Sequence, residues 1–136
     1  MEVSFSKTVS ESDVYLFAGI TGDLSPNHVN AEFMKTTPYG QRVAHGALIV
    51  GYMSAASSLA VDRGLKVIEG MSPVSLGYDR VRFLKPEYFG DTITVTYKVT
   101  RIDAEARCSY ADITVSNQHG DTVAAATHVM KWIGGG

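Results

Sequence analysis

Asp23 and His28 lie five positions apart in the stretch Phe17-Ala18-Gly19-Ile20-Thr21-Gly22-Asp23-Leu24-Ser25-Pro26-Asn27-His28. A carboxyl and an imidazole at this spacing can hold one water and pass its protons. The imidazole titrates near neutrality and serves as a base, while a carboxyl kept in an apolar pocket stays protonated and serves as an acid. Pro26 disfavours helix at Ser25 and stiffens the loop, which lets the two groups face a common point. In an arbitrary protein the bland reading leads, because an Asp in a turn and a nearby His usually cap backbone groups. Here the loop joins a helix to the region before a buried helix, and that position favours chemistry.

The segment Arg42-Val43-Ala44-His45-Gly46-Ala47 adds a second element. His45-Gly46 falls where the longest apolar helix begins. First-turn amides have no partner inside their helix and sit at the positive end of its dipole. Gly46 allows a ligand close to the backbone, as an oxyanion site for a thioester carbonyl requires. One such donor is worth about 3–4 kcal/mol in the transition state. The structural alternative, that Gly46 only lets the helix start pack tightly, weighs about the same.

These groups need a scaffold. Val3 to Val9 alternates Val3, Phe5, Lys7 and Val9 with Ser and Thr, a strand pattern. Ser10 is placed to cap a helix, with Asp13 completing a capping-box-like pair. Val14, Phe17, Ala18 and Ile20 supply its apolar face, and Gly22 ends it. The polar loop Thr21 to Asn30 follows, then one helical turn over Ala31 to Lys35. Pro38 and Gly40 keep Thr36 to Gln41 irregular. Gly46 to Val61 is apolar on nearly every side, which predicts a buried helix. Four segments rich in Val, Ile, Thr and Tyr come next: Val74 to Leu84, Thr92 to Ile102, Cys108 to Ser116 and Thr122 to Trp132. Short turns between them predict an antiparallel meander. Such a sheet needs cover for its apolar face, and the long helix is the candidate. The expected fold is α+β, a hot-dog arrangement of an antiparallel sheet wrapped around a long central helix, as one domain over residues 1–136. Gly134 to Gly136 read as a frayed tail.

Composition narrows the function classes. The 136 residues are 45% hydrophobic and 19% charged, with a net charge of −2. That balance gives no bulk attraction to nucleic acid or to an anionic membrane, so neither is an expected partner. Cys108 is the lone cysteine, which rules out an internal disulfide and a Cys-based metal site and fits a reducing compartment. The N-terminus lacks the pattern of a signal peptide. Ala44 to Val61 is too polar and too short to span a bilayer. The expectation is a cytoplasmic protein with no metal. His119 reads as a solvent-exposed turn residue and His128 as a strand-face residue.

Together these residues resemble the MaoC-like, (R)-specific enoyl-CoA hydratase family. Its signature is an aromatic, then Gly-Asp-x-Asn-Pro-x-His, and later a His-Gly at the start of the hot-dog helix. Gly22, Asp23, Pro26 and His28 match, as do His45 and Gly46, and Phe83-Leu84-Lys85-Pro86 with Gly90-Asp91-Thr92 resembles a sheet segment of the family. Ser25 departs from the usual Asn. Val50-Gly51 stands where some members carry a Ser that orients the dyad. The resemblance implies hydration of trans-2-enoyl-CoA to (R)-3-hydroxyacyl-CoA, or the reverse dehydration, through Asp23, His28 and the Gly46 amide. It implies no cofactor, coenzyme A being part of the substrate. Ser25, His45, Tyr52, Arg82 and Lys85 are the substrate-binding candidates. Arg82 and Lys85, with Arg80, alternate along a strand and are candidates for phosphate contacts, although a solvated strand face is the default for each. Phe33, Met34, Tyr52 and Met53 are candidates for limiting an acyl tunnel to short or medium chains, although core packing is the default for each.

Two other readings compete. A hot-dog thioesterase carries its acidic group on or near the central helix, and Gly46 to Val61 contains neither Asp nor Glu. A non-catalytic acyl-thioester-binding subunit is kept open by Ser25 and Gly51. A homodimer or higher homo-oligomer is expected in any case, because a hot-dog sheet leaves an edge strand unpaired.

Overall fold

A computed structural model of the chain describes residues 1–134. The expected tail at 134–136 falls mostly outside that range; Gly134 itself lies beyond the last strand. The elements run β1 (Glu2–Thr8), α1 (Glu11–Thr21), α2 (Pro26–Val29), α3 (Ala31–Met34), α4 (Gly46–Asp62), β2 (Ser72–Phe83), β3 (Thr92–Asp103), β4 (Cys108–Ser116) and β5 (Thr122–Ile133). This is the expected hot-dog fold, five strands curled around α4.

Local chemistry sets the start and stop of α1. Ser10 Oγ accepts from the Asp13 amide, and the Asp13 carboxylate accepts from the Ser10 amide, so both halves of the capping box are made. Gly22 ends the helix in the left-handed region, at φ 82°, where a side chain would be strained. Val14 and Ala18 face the core, but Ile20 is exposed. Its expected place on the apolar face is wrong, since the helix buries a stripe narrower than the sequence offers.

The sheet order is β1-β3-β4-β5-β2, antiparallel throughout. A simple meander is therefore only partly right. β3, β4 and β5 are joined by hairpins, but β2 pairs with β5 at the far edge. Pro86 to Asp91 carries the chain across the sheet to β3 and is no hairpin. That crossing is anchored at both ends. The amides of Leu84 and Lys85 donate to the Val123 carbonyl, and Val43 bridges Tyr88.

Ile49, Met53, Ala56 and Ala60 of α4 are buried with Val95, Tyr97, Ile113, Val115 and Trp132 of the sheet. The expectation of a helix buried all round is corrected in one respect: Ala47, Gly51, Ser54 and Ser58 lie on an exposed flank. These side chains are small and lose little by facing solvent. In β2 the pairing register shifts between Asp79 and Arg82, and Arg80 takes φ 54°. The regular alternation expected for Arg80, Arg82 and Lys85 is thereby broken, and Lys85 lies beyond the strand.

Candidate active site

His28 sits in α2, whose first position is Pro26, a residue already fixed at a helical φ. Its Nδ1 is 2.7 Å from the Val43 carbonyl oxygen. A carbonyl can only accept, so Nδ1 carries the proton and Nε2 keeps a lone pair. The Val43 amide donates back to the Asn27 carbonyl at 3.0 Å. Two bonds thus clamp the dyad loop to the segment that enters α4.

His45 is a strut within this clamp. It is buried at the N-cap of α4, and its Nε2 donates to the Asp23 carbonyl at 2.9 Å. Its ring stacks on that of His28, with centroids 3.6 Å apart and planes 25° apart. Phe17 of α1 backs it at 4.8 Å. Its Nδ1 is a buried acceptor without a partner among the described residues. Asp23 is exposed; its amide donates to Thr21 Oγ1 at 3.2 Å, and its Oδ1 accepts from the Ser25 amide at 3.3 Å. The apolar pocket expected around Asp23 is not formed by this chain alone. One donor atom each from Asp23, His28 and His45 fall within 4.8 Å of one another, close enough to share a water or a metal ion.

Beside this cluster lies a cavity of about 340 Å³, bordered by Asn27, Val43, Gly46, Phe83, Lys85 and Glu87 among others. The N-terminus of α4 opens on it. The His45 side chain makes no capping bond and the Leu48 amide donates to the His45 carbonyl, so among the described residues the Gly46 and Ala47 amides are the first-turn donors left for a ligand. The packing reading of Gly46 is met, because a Cβ at this position would lie 2.6 Å from two Phe83 ring atoms. Gly46 also borders the cavity.

The other candidates divide. Ser25 is at the N-cap of α2 and makes no side-chain capping bond. Lys85 borders the cavity but is paired with Asp121 at 3.4 Å. Arg82 is exposed on the edge strand and does not border the cavity. Tyr52 is a correction: its hydroxyl donates to Asp13 Oδ2 at 3.3 Å and its ring packs near Phe5, so it joins α4 to α1 and β1. Burial first, then the Asp13 carboxylate, raises its phenol pKa. The expected tunnel residues are also elsewhere, Phe33 being exposed and Met34 and Met53 fully buried in the core. Sequence reasoning missed Asn27, Phe83 and Glu87 as cavity residues. Asn27 was legible by adjacency to His28, but nothing in Pro86-Glu87-Tyr88 marks Glu87 as buried.

His119 lies exposed in its turn as expected, whereas His128 does more than occupy a strand face. It is completely buried, with Nε2 2.7 Å from Ser75 Oγ and Nδ1 2.7 Å from the Tyr97 hydroxyl. Tyr78 stacks on it at 4.5 Å. Burial lowers its pKa to about 4.

A hot-dog fold whose helix N-terminus, carboxylate and imidazole meet beside one cavity defines a class, and the chain belongs to the MaoC-like domain family, whose description matches residues 1–127. It is 36% identical over 104 residues to an (R)-specific enoyl-CoA hydratase of Rhodospirillum rubrum, covering 76% of this chain and 67% of the relative. It is 34% identical over 101 residues to a 3-hydroxybutyryl-CoA dehydratase of Methylorubrum extorquens, covering 74% and 59%. Its fold is similar to that of an unliganded R-hydratase from Pseudomonas aeruginosa, with a TM-score of 0.76, 28% identity and coverage of 96% and 78%.

Proposed function

We propose that this chain, as a single hot-dog domain, adds water to trans-2-enoyl-CoA to give (R)-3-hydroxyacyl-CoA, and catalyses the reverse dehydration. The observation that carries this reading is the clamped imidazole of His28. With Nδ1 bonded to Val43, its Nε2 lone pair is free to take a proton. The water loses that proton to His28 as its oxygen bonds to C3 of the enoyl chain. Asp23 delivers a proton to C2, a role that requires bound substrate or a second copy of the chain to cover its carboxyl, which this chain alone leaves exposed. A proton passed from the imidazolium to the carboxylate then restores both groups. Charge gathers on the thioester oxygen between these events, and the Gly46 amide at the start of α4 donates a hydrogen bond to that oxygen. The relatives named above for enoyl-CoA hydration and 3-hydroxybutyryl-CoA dehydration support the substrate class.

Both protons and the hydroxyl come from water and two side chains, so this mechanism calls for no cofactor. Because Asp23, His28 and His45 could also hold a metal, dialysis against a chelator should leave turnover unchanged. A loss restored by one divalent ion would overturn the metal-free step.

The partner we infer is a second copy of the chain. β2 pairs on one side only, and Val74, Leu76 and Phe83 are exposed along it. Such an edge invites continuation of the sheet. Sedimentation at micromolar concentration should give a dimer or larger, and a pure monomer would refute it. No described helix is long and apolar enough to cross a membrane, and we place the protein in the cytoplasm.

Crotonyl-CoA tests the activity. Loss of the conjugated enoyl absorbance without release of free thiol is the expected result. Thiol release would favour a thioesterase. No turnover at any chain length would favour a non-catalytic acyl-binding subunit.

A further inference from the structure

A second cavity, of about 290 Å³, opens between α4 and the β2 edge of the sheet. Ser54, Ser58 and Asp62 border it from the helix, and Pro73, Ser75 and Met130 from the strands. Ser75 and Met130 are directly opposite one another across β2 and β5, so their side chains share the face that meets α4. The Ser75 hydroxyl is 2.7 Å from Nε2 of the buried His128, and its direction follows from the other end of that ring. Tyr97 is 1% exposed, and Nδ1 of His128 is the one hydrogen-bond partner of its hydroxyl among the described residues. A buried hydroxyl hydrogen without an acceptor is costly, so Tyr97 donates and Nδ1 accepts. A neutral imidazole with Nδ1 bare carries its hydrogen on Nε2, and Ser75 Oγ receives it. The hydrogen of Ser75 itself is then left for the cavity side, beside the hydroxyls of Ser54 and Tyr78.

We propose that this cavity receives the far end of the acyl chain, and that Ser75 makes it prefer chains ending in a hydroxyl over plain hydrocarbon chains of equal length. This rests on the hydration reading, which seats the thioester at Gly46. From there Ala47, Gly51, Ser54 and Ser58 run down one exposed flank of α4, and a Cβ added at Gly51 would meet nothing within 4 Å. The flank is an open track from the first cavity to the second, with about 12 Å of helix between Gly46 and Ser54. At its end a terminal hydroxyl can accept the Ser75 hydrogen and has Asp62, exposed at the rim, as an acceptor for its own. A hydrocarbon end makes neither bond and strips water from both groups. A carboxylate end would face Asp62 with no Lys, Arg or His among the bordering residues to balance it. The chemical class that fits is a neutral alcohol.

The test compares trans-2-octenoyl-, trans-2-decenoyl- and trans-2-dodecenoyl-CoA with their ω-hydroxy and ω-carboxy counterparts; crotonyl-CoA is too short to reach the second cavity. At one or more of these lengths kcat/KM should be about tenfold or more higher for the hydroxyl end than for the plain chain, and higher than for the carboxylate. Ser75→Ala should abolish that preference, and Ser75→Thr, which keeps a hydroxyl, should retain it. No preference at any length, or an unchanged ratio in Ser75→Ala, overturns the proposal. Nitrogen NMR of the folded wild type checks the donor direction without any variant. His128 should carry its hydrogen on Nε2, and a hydrogen on Nδ1 overturns the proposal. Calorimetry with the saturated plain and ω-hydroxy chains of the same lengths separates this inference from the hydratase reading. Tighter binding of a hydroxylated chain without turnover of any enoyl substrate supports Ser75 and sinks the hydratase reading. Equal affinities at every length sink the Ser75 proposal while hydration of crotonyl-CoA stands.

Discussion

Two histidine clusters in this molecule use the same side chain to opposite ends. In the interior, His128 has both ring nitrogens bonded, to Ser75 and Tyr97, and a phenol ring stacked on its face. At the head of α4, His28 and His45 each have one nitrogen bonded to a backbone carbonyl and one left over. The first arrangement is closed: both ring nitrogens are used, and burial disfavours the charged form of the ring. The second is half open, with the bonded nitrogen fixing the tautomer and the other without a bond among the described residues, buried in the case of His45. A histidine's role here is set by how many of its nitrogens the fold leaves free, more than by how deeply it is buried, since His45 is also buried.

The largest contrast between the clusters should appear in turnover. His28→Ala and Asp23→Asn should each lower kcat about 10²–10⁴-fold, the usual share of a general acid or base. Because both act on one water, the double variant should be little worse than either single one. Asp23→Asn keeps size and hydrogen bonding, so its thermal midpoint should barely move. A normal rate in its folded fraction, with a large drop in midpoint, would show Asp23 to be a turn residue only.

The interior cluster should respond the other way. His128→Ala leaves the Ser75 and Tyr97 hydroxyls without a partner and opens a hole beneath Tyr78, at a cost of about 3 kcal/mol in stability. Its specific rate per folded molecule should stay near that of the wild type, measured at a temperature well below the midpoint. A hundredfold loss in the folded fraction would erase the distinction between the two clusters.

The pH dependence of stability gives a finer test. His128 is held at about 4 by burial, below the ordinary histidine value. The unfolded chain then binds the extra proton first, so stability falls as pH drops from about 6.5 towards about 4, by roughly 3 kcal/mol. Glu87 is raised to about 7. Here the unfolded chain loses its proton first, so stability falls as pH rises from about 4.5 to about 7, by a similar amount of roughly 3 kcal/mol. Denaturant midpoints across this range should change little in the wild type, because the two trends oppose. Glu87→Gln should expose the rise with pH that His128 causes; a flat profile in that variant would contradict the buried neutral imidazole.

A smaller effect concerns the element that delivers the dyad loop. Ser10→Ala removes half the capping box of α1 and should cost about 1 kcal/mol in stability. With the His28 clamp to Val43 intact, kcat should change less than twofold. A larger loss would mean that α1, rather than the clamp, holds the dyad in place.

Much of this was readable in advance. The capping box at Ser10, the left-handed stop at Gly22, the helix from Gly46 and the strands depend on local pattern, and sequence carries local pattern directly. The convergence of Asp23 and His28 was legible for the same reason, being five residues apart around a proline. What needed tertiary structure was every relation between distant segments. That β2 pairs with β5, that His128 lies between Ser75 and Tyr97, and that Tyr52 reaches Asp13 all depend on how the sheet curls around α4. Glu87 shows the limit most sharply. A Glu after a proline reads as solvated loop. Only the closure of Val43 and Tyr88 against one another, far apart in sequence, removes water from it and turns an ordinary acid into one without a partner. Burial is a property of the packed chain, and no run of neighbouring residues encodes it.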